Sequence, residues 1–418
     1  MTMNNVDIRV FFETALKAAL PEGKFIDLPD PPAGRTIVLG AGKAAGSMAA
    51  AFEQAWGIHA PHVPLEGLVV TRYGHGRNTE FIEVVEAAHP VPDHAGQAAA
   101  QRILALAAGA TRDDLVIFLI SGGASALLSA PAAGIAFSTK QALNSAILKS
   151  GMSISEMNMV RKALSAIKGG RLAIAAAPAR QVSYLISDVP GDDPGTIGSG
   201  PSVVEQHDVE GALQLLARYQ IDIAEDTRLA IARNISKAPV PTGELHMLAT
   251  PQLALEAAAE TARDAGMACH ILGDAIEGEA REVAQVFAGI CRQVIHKNQP
   301  FTKPCLLLSG GETTVTVRGS GRGGRNAEFL LAFVLAMEPV TQPWQALAAD
   351  TDGIDGIEDN AGVIADQETL AKAQKLGLDP VAMLDNNDAH SLFDRLDQLI
   401  VTGPTLTNVN DFRAIYLN

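Results

Sequence analysis

The chain has 418 residues, of which 47% are hydrophobic and 5% aromatic. That is more than one ordinary core accommodates, so two domains are expected. Thirty-two basic residues face 47 acidic ones, a formal charge of −15, which argues against a nucleic-acid binder with its clustered Lys/Arg footprint. No stretch reaches the roughly 20 apolar residues that cross a bilayer. The opening MTMNNVDIRVFFETALKAAL, with Asp7 and Glu13, lacks the basic start and apolar run of a signal peptide. Cys269, Cys291 and Cys305 are widely separated and lack metal or redox spacing. A cytoplasmic protein with neither nucleic-acid nor membrane partner is expected.

In chain order, residues 6–20 carry apolar side chains at helical spacing, and TIVL (36–39) is a short buried strand running into GAGKAAG, a glycine loop that opens a helix. GLVVT (67–71), residues 82–87 and LVIFLI (115–120) read as further strands, with an alanine-rich helix at 96–106. Strands apolar on both faces belong to parallel sheets covered by helices. A helical region follows from 138 to about 177, broken near Gly151 and Gly169, then strand 182–186 and the loop SDVPGDDPGTIGSGP. SKAPVPTGE (236–244) is polar and proline-containing, so the boundary is placed there, giving domains 1–240 and 241–418. Beyond it, strands MLAT, ACHIL, CLLLS and WQALAA alternate with helices at 251–266, 279–296 and 326–337. The expected class is α/β: two three-layer units with largely parallel sheets.

LISGGASAL (119–127) and LLSGGETTV (307–315) echo one another, as do the acidic glycine loops SDVPGDD (187–193) and DTDGIDG (350–356). Ligands of open α/β sheets bind beyond the carboxyl ends of strands, so two such pairs suggest a site in an inter-domain cleft. A tight turn needs no ligand to explain it, but two matched pairs favour the cleft.

Several segments are candidates for the chemistry. Gly40 and Gly42 flank the start of a helix, where backbone N–H groups and the dipole favour an anion. Lys43 at that point makes sense beside an anionic ligand; an ordinary solvated lysine is the bland alternative. The spacing matches neither the dinucleotide fingerprint nor the Walker loop. Arg322 and Arg325 offer fork-shaped donors for phosphate or carboxylate, with Asn326 as an N-cap and Glu328 in the first turn; surface ion pairing is the competing account. Asp188, Asp192, Asp193, Asp350, Asp352 and Asp355 are hard oxygen ligands suited to Mg²⁺, although aspartates beside glycines also form turns. Ser121, Gly122, Gly123 and Ser125, with Ser309, Gly310 and Gly311, are the small-residue donors expected to bind phosphate or substrate. His89, in HPVPD, is a further acid/base or turn candidate. No G-x-S-x-G elbow and no H-E-x-x-H motif occurs.

LGAGKAA, HPVPD, LISGGASALL, LISDVPGDDPGTIGSGP, LLSGGETTVTV, GRGGRNAEF, ADTDGIDG and TGPTLTNVNDF occur in that order. Together they resemble the glycerate 2-kinases whose second half is the MOFRL domain, over nearly the whole chain. The resemblance implies transfer of the ATP γ-phosphoryl group to glycerate, giving 2-phosphoglycerate, with Mg²⁺. It puts the essential lysine on Lys43 and the essential arginine on Arg325, an aspartate from 188, 192 or 352 on the metal or the substrate hydroxyl, and Ser121 to Ser125 on the glycerate carboxylate or a phosphate. Ala124 stands where relatives often carry Gly, and Gly198 where they often carry Ala. Members also bear the label hydroxypyruvate reductase, for which the chain offers no dinucleotide fingerprint. An NAD(P)H-dependent reductase and a non-catalytic sugar-acid binder are the competing readings. Oligomeric state is not legible; a homodimer is one candidate.

Overall fold

The computed structural model describes residues 7–206, 208–235 and 242–418; most of the proline-containing 236–244 segment lies outside them. The elements in chain order are α1 (Arg9–Ala19), β1 (Thr36–Ala41), α2 (Ala45–His59), β2 (Leu65–Arg72), β3 (Ile82–Ala87), α3 (His94–Ala108), β4 (Leu115–Ser121), α4 (Ala124–Leu127), α5 (Phe137–Lys149), α6 (Ile154–Ala163), α7 (Arg171–Ala176), β5 (Arg180–Ile186), α8 (Val209–Arg218), α9 (Glu225–Arg233) and β6 (Glu244–Ala249). They continue with α10 (Pro251–Asp264), β7 (Ala268–Gly273), β8 (Gly278–Glu279), α11 (Ala280–Lys297), β9 (Cys305–Gly311), β10 (Thr313–Thr314), α12 (Arg325–Ala336), β11 (Trp344–Asp350), β12 (Gly362–Asp366), α13 (Thr369–Lys375), α14 (Pro380–Asp385), α15 (Ala389–Arg395), β13 (Leu399–Ile400) and β14 (Asp411–Leu417).

Residues 21–248 form one compact unit; residues 1–20 and 249–418 form the other. The division therefore departs from the one at 240/241. The strand containing MLAT is β6, an edge strand of the first sheet, and α1 packs on α10 in the C-terminal unit. The reason is apolar burial. Phe11, Phe12, Ala15 and Ala19 lie along one face of α1 and are buried, with Phe12 against Phe412 at 5.7 Å between ring centres, while Thr407 Oγ1 caps the helix by donating to Ala19 O at 2.7 Å.

The N-terminal unit carries a six-stranded sheet ordered β3-β2-β1-β4-β5-β6. Its β3-β2-β1-β4-β5 run is parallel throughout. Ile37, Leu39, Val116, Phe118 and Ile120 point to a core shared with α3, α4 and α7. On the opposite face, Phe52 of α2 stacks on Trp56 and meets Phe25 edge-on and Tyr184 at a tilt. Strands without a polar face thus have helices on both sides, as alternation requires. A separate helical cluster, α5, α6, α8 and α9, closes around Leu143, Ile147, Val160, Leu216 and Ile231.

The C-terminal unit has a sheet ordered β13-β12-β11-β14-β9-β7. It too has helices on both faces, α11, α12 and α15 on one and α1 and α10 on the other. Here the parallel expectation holds only for β7 with β9; β14 runs antiparallel to both β9 and β11, and β12 antiparallel to β11 and β13. The chain reaches β12 and β14 through loops rather than crossover helices, and a loop return permits the antiparallel direction.

Candidate functional site

In the N-terminal unit, β1 ends at Ala41 and α2 begins at Ala45 with no side-chain cap. Four backbone donors of this glycine loop are taken up within the fold. Gly42 N donates to Val70 O, Lys43 N to Gly122 O at 2.8 Å, Ala44 N to Ser121 Oγ at 3.0 Å and Ala45 N to Gly42 O. The loop is stitched into the ends of β2 and β4, and what it offers outward is the half-buried Lys43 side chain. Gly42 adopts φ +136°, and a Cβ there would stand 2.0 Å from Ser121 Oγ. Gly40 is simply a residue of β1 pressed against the backbone of Leu119.

Ser121 is fully buried, and its hydroxyl accepts the Ala44 N–H, so it joins the two loops. Gly123 takes φ +80° to start α4. The point where its Cβ would stand is 3.1 Å from His89 Nε2 and 3.2 Å from Lys43 Cγ. Lys43, His89 and the Gly122–Gly123 turn therefore converge at the carboxyl ends of β1 and β4. Ser125 Oγ meets Ser199 Oγ at 3.0 Å and accepts from Lys168 Nζ. The two departures from the family pattern are coupled: a Cβ on Gly198 would lie 2.7 Å from the Ala124 Cβ, so one of the two positions must stay small.

Asp193 accepts from Gly195 N at 3.2 Å and Thr196 Oγ1 at 2.7 Å, which makes it a turn former. Asp192 sits at φ +54°, and its Oδ1 is buried with no donor among the described residues. Asp188 follows β5 and is partly exposed.

In the C-terminal unit the guanidinium of Arg325 lies among three carboxylates, each at 2.7 Å: Nε donates to Asp411 Oδ1, Nη1 to Glu312 Oε1 and Nη2 to Asp350 Oδ2. Burial would lower its pKa, but Asp411, Asp350 and Glu312 outweigh this and raise it well above the usual value. Arg325 is thus a permanently charged, orientationally fixed donor whose charge is compensated locally, rather than a bare cation. Asp411 also accepts from Asn326 Nδ2 at 2.9 Å and from Arg413 Nη2 at 2.6 Å. Burial pushes its carboxyl up, yet Arg325 and Arg413 hold it below the ordinary range.

Other residues of this unit expected as ligands make contacts within the fold. Gly324, not Asn326, occupies the cap position of α12. The cap is supplied by Asp355, which accepts from Asn326 N at 2.9 Å and Ala327 N at 2.8 Å; burial raises Asp355 to about 6. Glu328 is buried against Arg281, whose Nε donates at 2.8 Å, and Asn387. Arg322 pairs with Glu358 at 2.6 Å. Ser309, Gly310 and Gly311 lie inside β9, paired with Arg413, Phe412 and Asp411 of β14, so this Ser-Gly-Gly is all strand where its counterpart leaves the strand after Ser121 and turns at Gly122–Gly123. Asp352 is buried and folds its own loop, Oδ1 accepting from Ile354 N at 2.9 Å.

Sequence reasoning passed over Asp411, Glu312 and Lys168. The first two lie within the quoted strings TNVNDF and SGGETT, and the strings alone gave no role to either. Among the described residues no three His, Cys, Asp or Glu side chains are arranged to hold a metal ion. The carboxylates around Arg325 are already occupied by cations and amides.

The comparisons with known proteins agree with the motifs. Residues 2–232 match a family described as a domain of unknown function (DUF4147) and residues 305–411 match the MOFRL family. The chain is 38% identical to the D-glycerate 2-kinase of Thermotoga maritima, over 96% of this chain and 93% of that one. The chain belongs to the glycerate kinase family. A crystal structure of glycerate kinase from Thermotoga maritima superposes with a TM-score of 0.87 at 36% identity, covering 98% of each chain. A protein of Agrobacterium vitis, provisionally designated hydroxypyruvate reductase, is 48% identical over 100% of this chain and 96% of its own. Among the described residues of this family member, no helix is long and apolar enough to cross a membrane.

Proposed function

We propose that the protein is a glycerate 2-kinase that moves the γ-phosphoryl group of ATP to the 2-hydroxyl of glycerate, releasing ADP and 2-phosphoglycerate. The observation that carries this reading is full-length kinship with glycerate kinases, and the convergence of Lys43, His89 and the Gly122–Gly123 turn supports it. The acceptor oxygen forms a bond to the γ-phosphorus while the bond to the β–γ bridging oxygen breaks. The hydroxyl proton leaves to a base, for which Asp188 and Asp192 are the candidates in the N-terminal unit.

Phosphoryl transfer depends on positioning and on donors placed where charge develops, not on covalent help. Lys43 supplies an ammonium at the ends of β1 and β4. Arg325, held by Asp350, Glu312 and Asp411, supplies N–H donors in a fixed plane. Both are proposed to serve the same transfer. Magnesium would arrive with the nucleotide substrate, since Mg²⁺ keeps much of its water and is commonly held by substrate phosphates. An acid-rich surround at Arg325 favours the metal-bound nucleotide over the free polyanion. The cytoplasm, where ATP is abundant, is the proposed compartment, and a homodimer the proposed assembly, checked by light scattering.

The test is ADP formation that requires both glycerate and Mg²⁺, with phosphorus NMR locating the new ester at C2. Lys43→Ala is expected to lower turnover on the order of 10²-fold or more. Oxidation of NADH by hydroxypyruvate, followed directly by absorbance without ADP formation, would make the protein a reductase instead.

A further inference from the structure

We infer that the cavity between the His89 loop and helices α5 and α6 is the subsite for the acceptor's carboxylate, with Lys168 and Arg161 as its cationic wall and Asn144 receiving a hydroxyl of the same molecule. The inference deepens the kinase reading and rests on it.

The cavity has a volume of about 370 Å³ and lies wholly within the N-terminal unit. Its polar lining includes His89, Ser125, Asn144, Arg161 and Lys168, and Gly123 forms part of its wall. Through Gly123 it borders the Lys43 side chain. Its size falls at the lower end of small-molecule sites.

Charge is the decisive feature. Lys168 is 2% exposed and donates to Ser125 O at 2.7 Å and to Ser125 Oγ. No carboxylate among the described residues pairs with it or with Arg161, whereas neighbouring Lys162 has Glu205 at 2.5 Å. The charges around Lys168 are all cations; burial first, then Lys140, Arg161 and Lys162, drive its pKa well below the ordinary value. Burial alone lowers Arg161. Cations gathered out of water without an acid cost stability, and an entering anion removes that cost. Lysine and arginine together give a point charge and a planar fork, a combination suited to one carboxylate.

Asn144 separates a hydroxy acid from a bare polyphosphate chain. Its Oδ1 is buried and meets no donor among the described residues, so the proper occupant brings an O–H. A 2-hydroxy acid has one beside its carboxylate; a nucleotide polyphosphate at neutral pH does not.

Calorimetric titration of the full-length protein with D-glycerate, in the absence of nucleotide, tests this, with glycerol, inorganic phosphate and ADP as controls. Glycerate binds and glycerol does not. Arg161→Gln, chosen because Arg161 is only partly buried, weakens glycerate binding and raises its KM on the order of 10²-fold, while the KM for ATP stays within about twofold. Lys168→Met does the same where it folds. An unchanged glycerate KM in Arg161→Gln, or an increase confined to the ATP KM, overturns the subsite while leaving the kinase reading intact. Glycerate binding that is lost in Arg161→Gln, in a wild-type protein that forms no ADP, overturns the kinase reading and leaves the subsite standing.

Discussion

Arg325 Nε donates to Asp411 Oδ1 at 2.7 Å, tying the first residue of α12 to the first residue of β14. Asp411 is at the same time bonded to Arg413 and Asn326, so the arginine's direction is set by a buried network. A change that keeps charge but loses the plane should therefore be costly. Arg325→Lys is expected to lower kcat on the order of 10²-fold with a smaller change in the KM for glycerate. Asp411→Asn should lower kcat and also reduce stability, because Arg413 loses its charged partner in the core. Steady-state kinetics and urea unfolding of the two variants check this; wild-type kcat in Arg325→Lys contradicts it.

The helix that carries Arg325 depends on a cap from another loop. Asp355→Ala removes both acceptors of Asn326 N and Ala327 N, and a cost of about 1–2 kcal/mol in unfolding free energy is expected. Because Arg325 is the first residue of the helix, kcat should fall in the same variant. Stability reduced with kcat unaltered would separate the cap from the chemistry.

The contact between Ala124 and position 198 gives a double-mutant cycle. Gly198→Ala forces two methyl groups to 2.7 Å in a backbone with φ +59°, and should lower the melting temperature by several degrees. Adding Ala124→Gly should recover part of that loss, because it removes the clash and leaves the backbone strain. Strictly additive effects in differential scanning fluorimetry would rule out the coupling.

Lys140 is fully buried, donates to Ala130 O at 3.0 Å, and is lowered by burial to about 7. A lysine whose folded pKa lies below its unfolded one releases its proton on folding. Its stabilising term is complete above the unfolded value and is lost as pH falls through the folded one. Between pH 7 and 10 the wild type should thus gain stability relative to Lys140→Met, at most about 1.4 kcal/mol per pH unit. Urea midpoints at three pH values measure the slope; parallel curves would mean Lys140 titrates as in the unfolded chain.

Much of the N-terminal unit is readable in the residues. TIVL, GLVVT and LVIFLI are largely apolar on both faces, and that pattern has one common structural answer, a covered parallel sheet. The breaks at Gly151 and Gly169 likewise divide α5, α6 and α7. The second sheet is less legible because DFRAIYL has both faces buried yet runs antiparallel; burial pattern carries no information about strand direction. At the site, Lys43 and Arg325 stand out through rare residue combinations near glycines. The duties of Asp355, Glu328 and Ser121 do not, since each depends on a partner far away in sequence: Ala327, Arg281 and Ala44. Lys168 is hidden for a related reason. A lysine in a helical stretch looks solvated until tertiary packing withdraws water from it.

The position of β14 sets a timetable for folding. It is made after the other described strands, and it stands between β9 and β11 in the middle of its sheet, while α1, made before all of them, packs in that same unit. During synthesis the stretch from 21 to 248 has all of its strands and helices in hand by mid-chain and is free to condense on the ribosome. Its companion must wait with α1 undocked and β9 and β11 unbridged until the seven-residue β14 emerges. A ribosome stalled before Asp411 would thus release a chain with one finished half and one divided sheet, and such a fragment exposes two unpaired strand edges to chaperones and to its own copies.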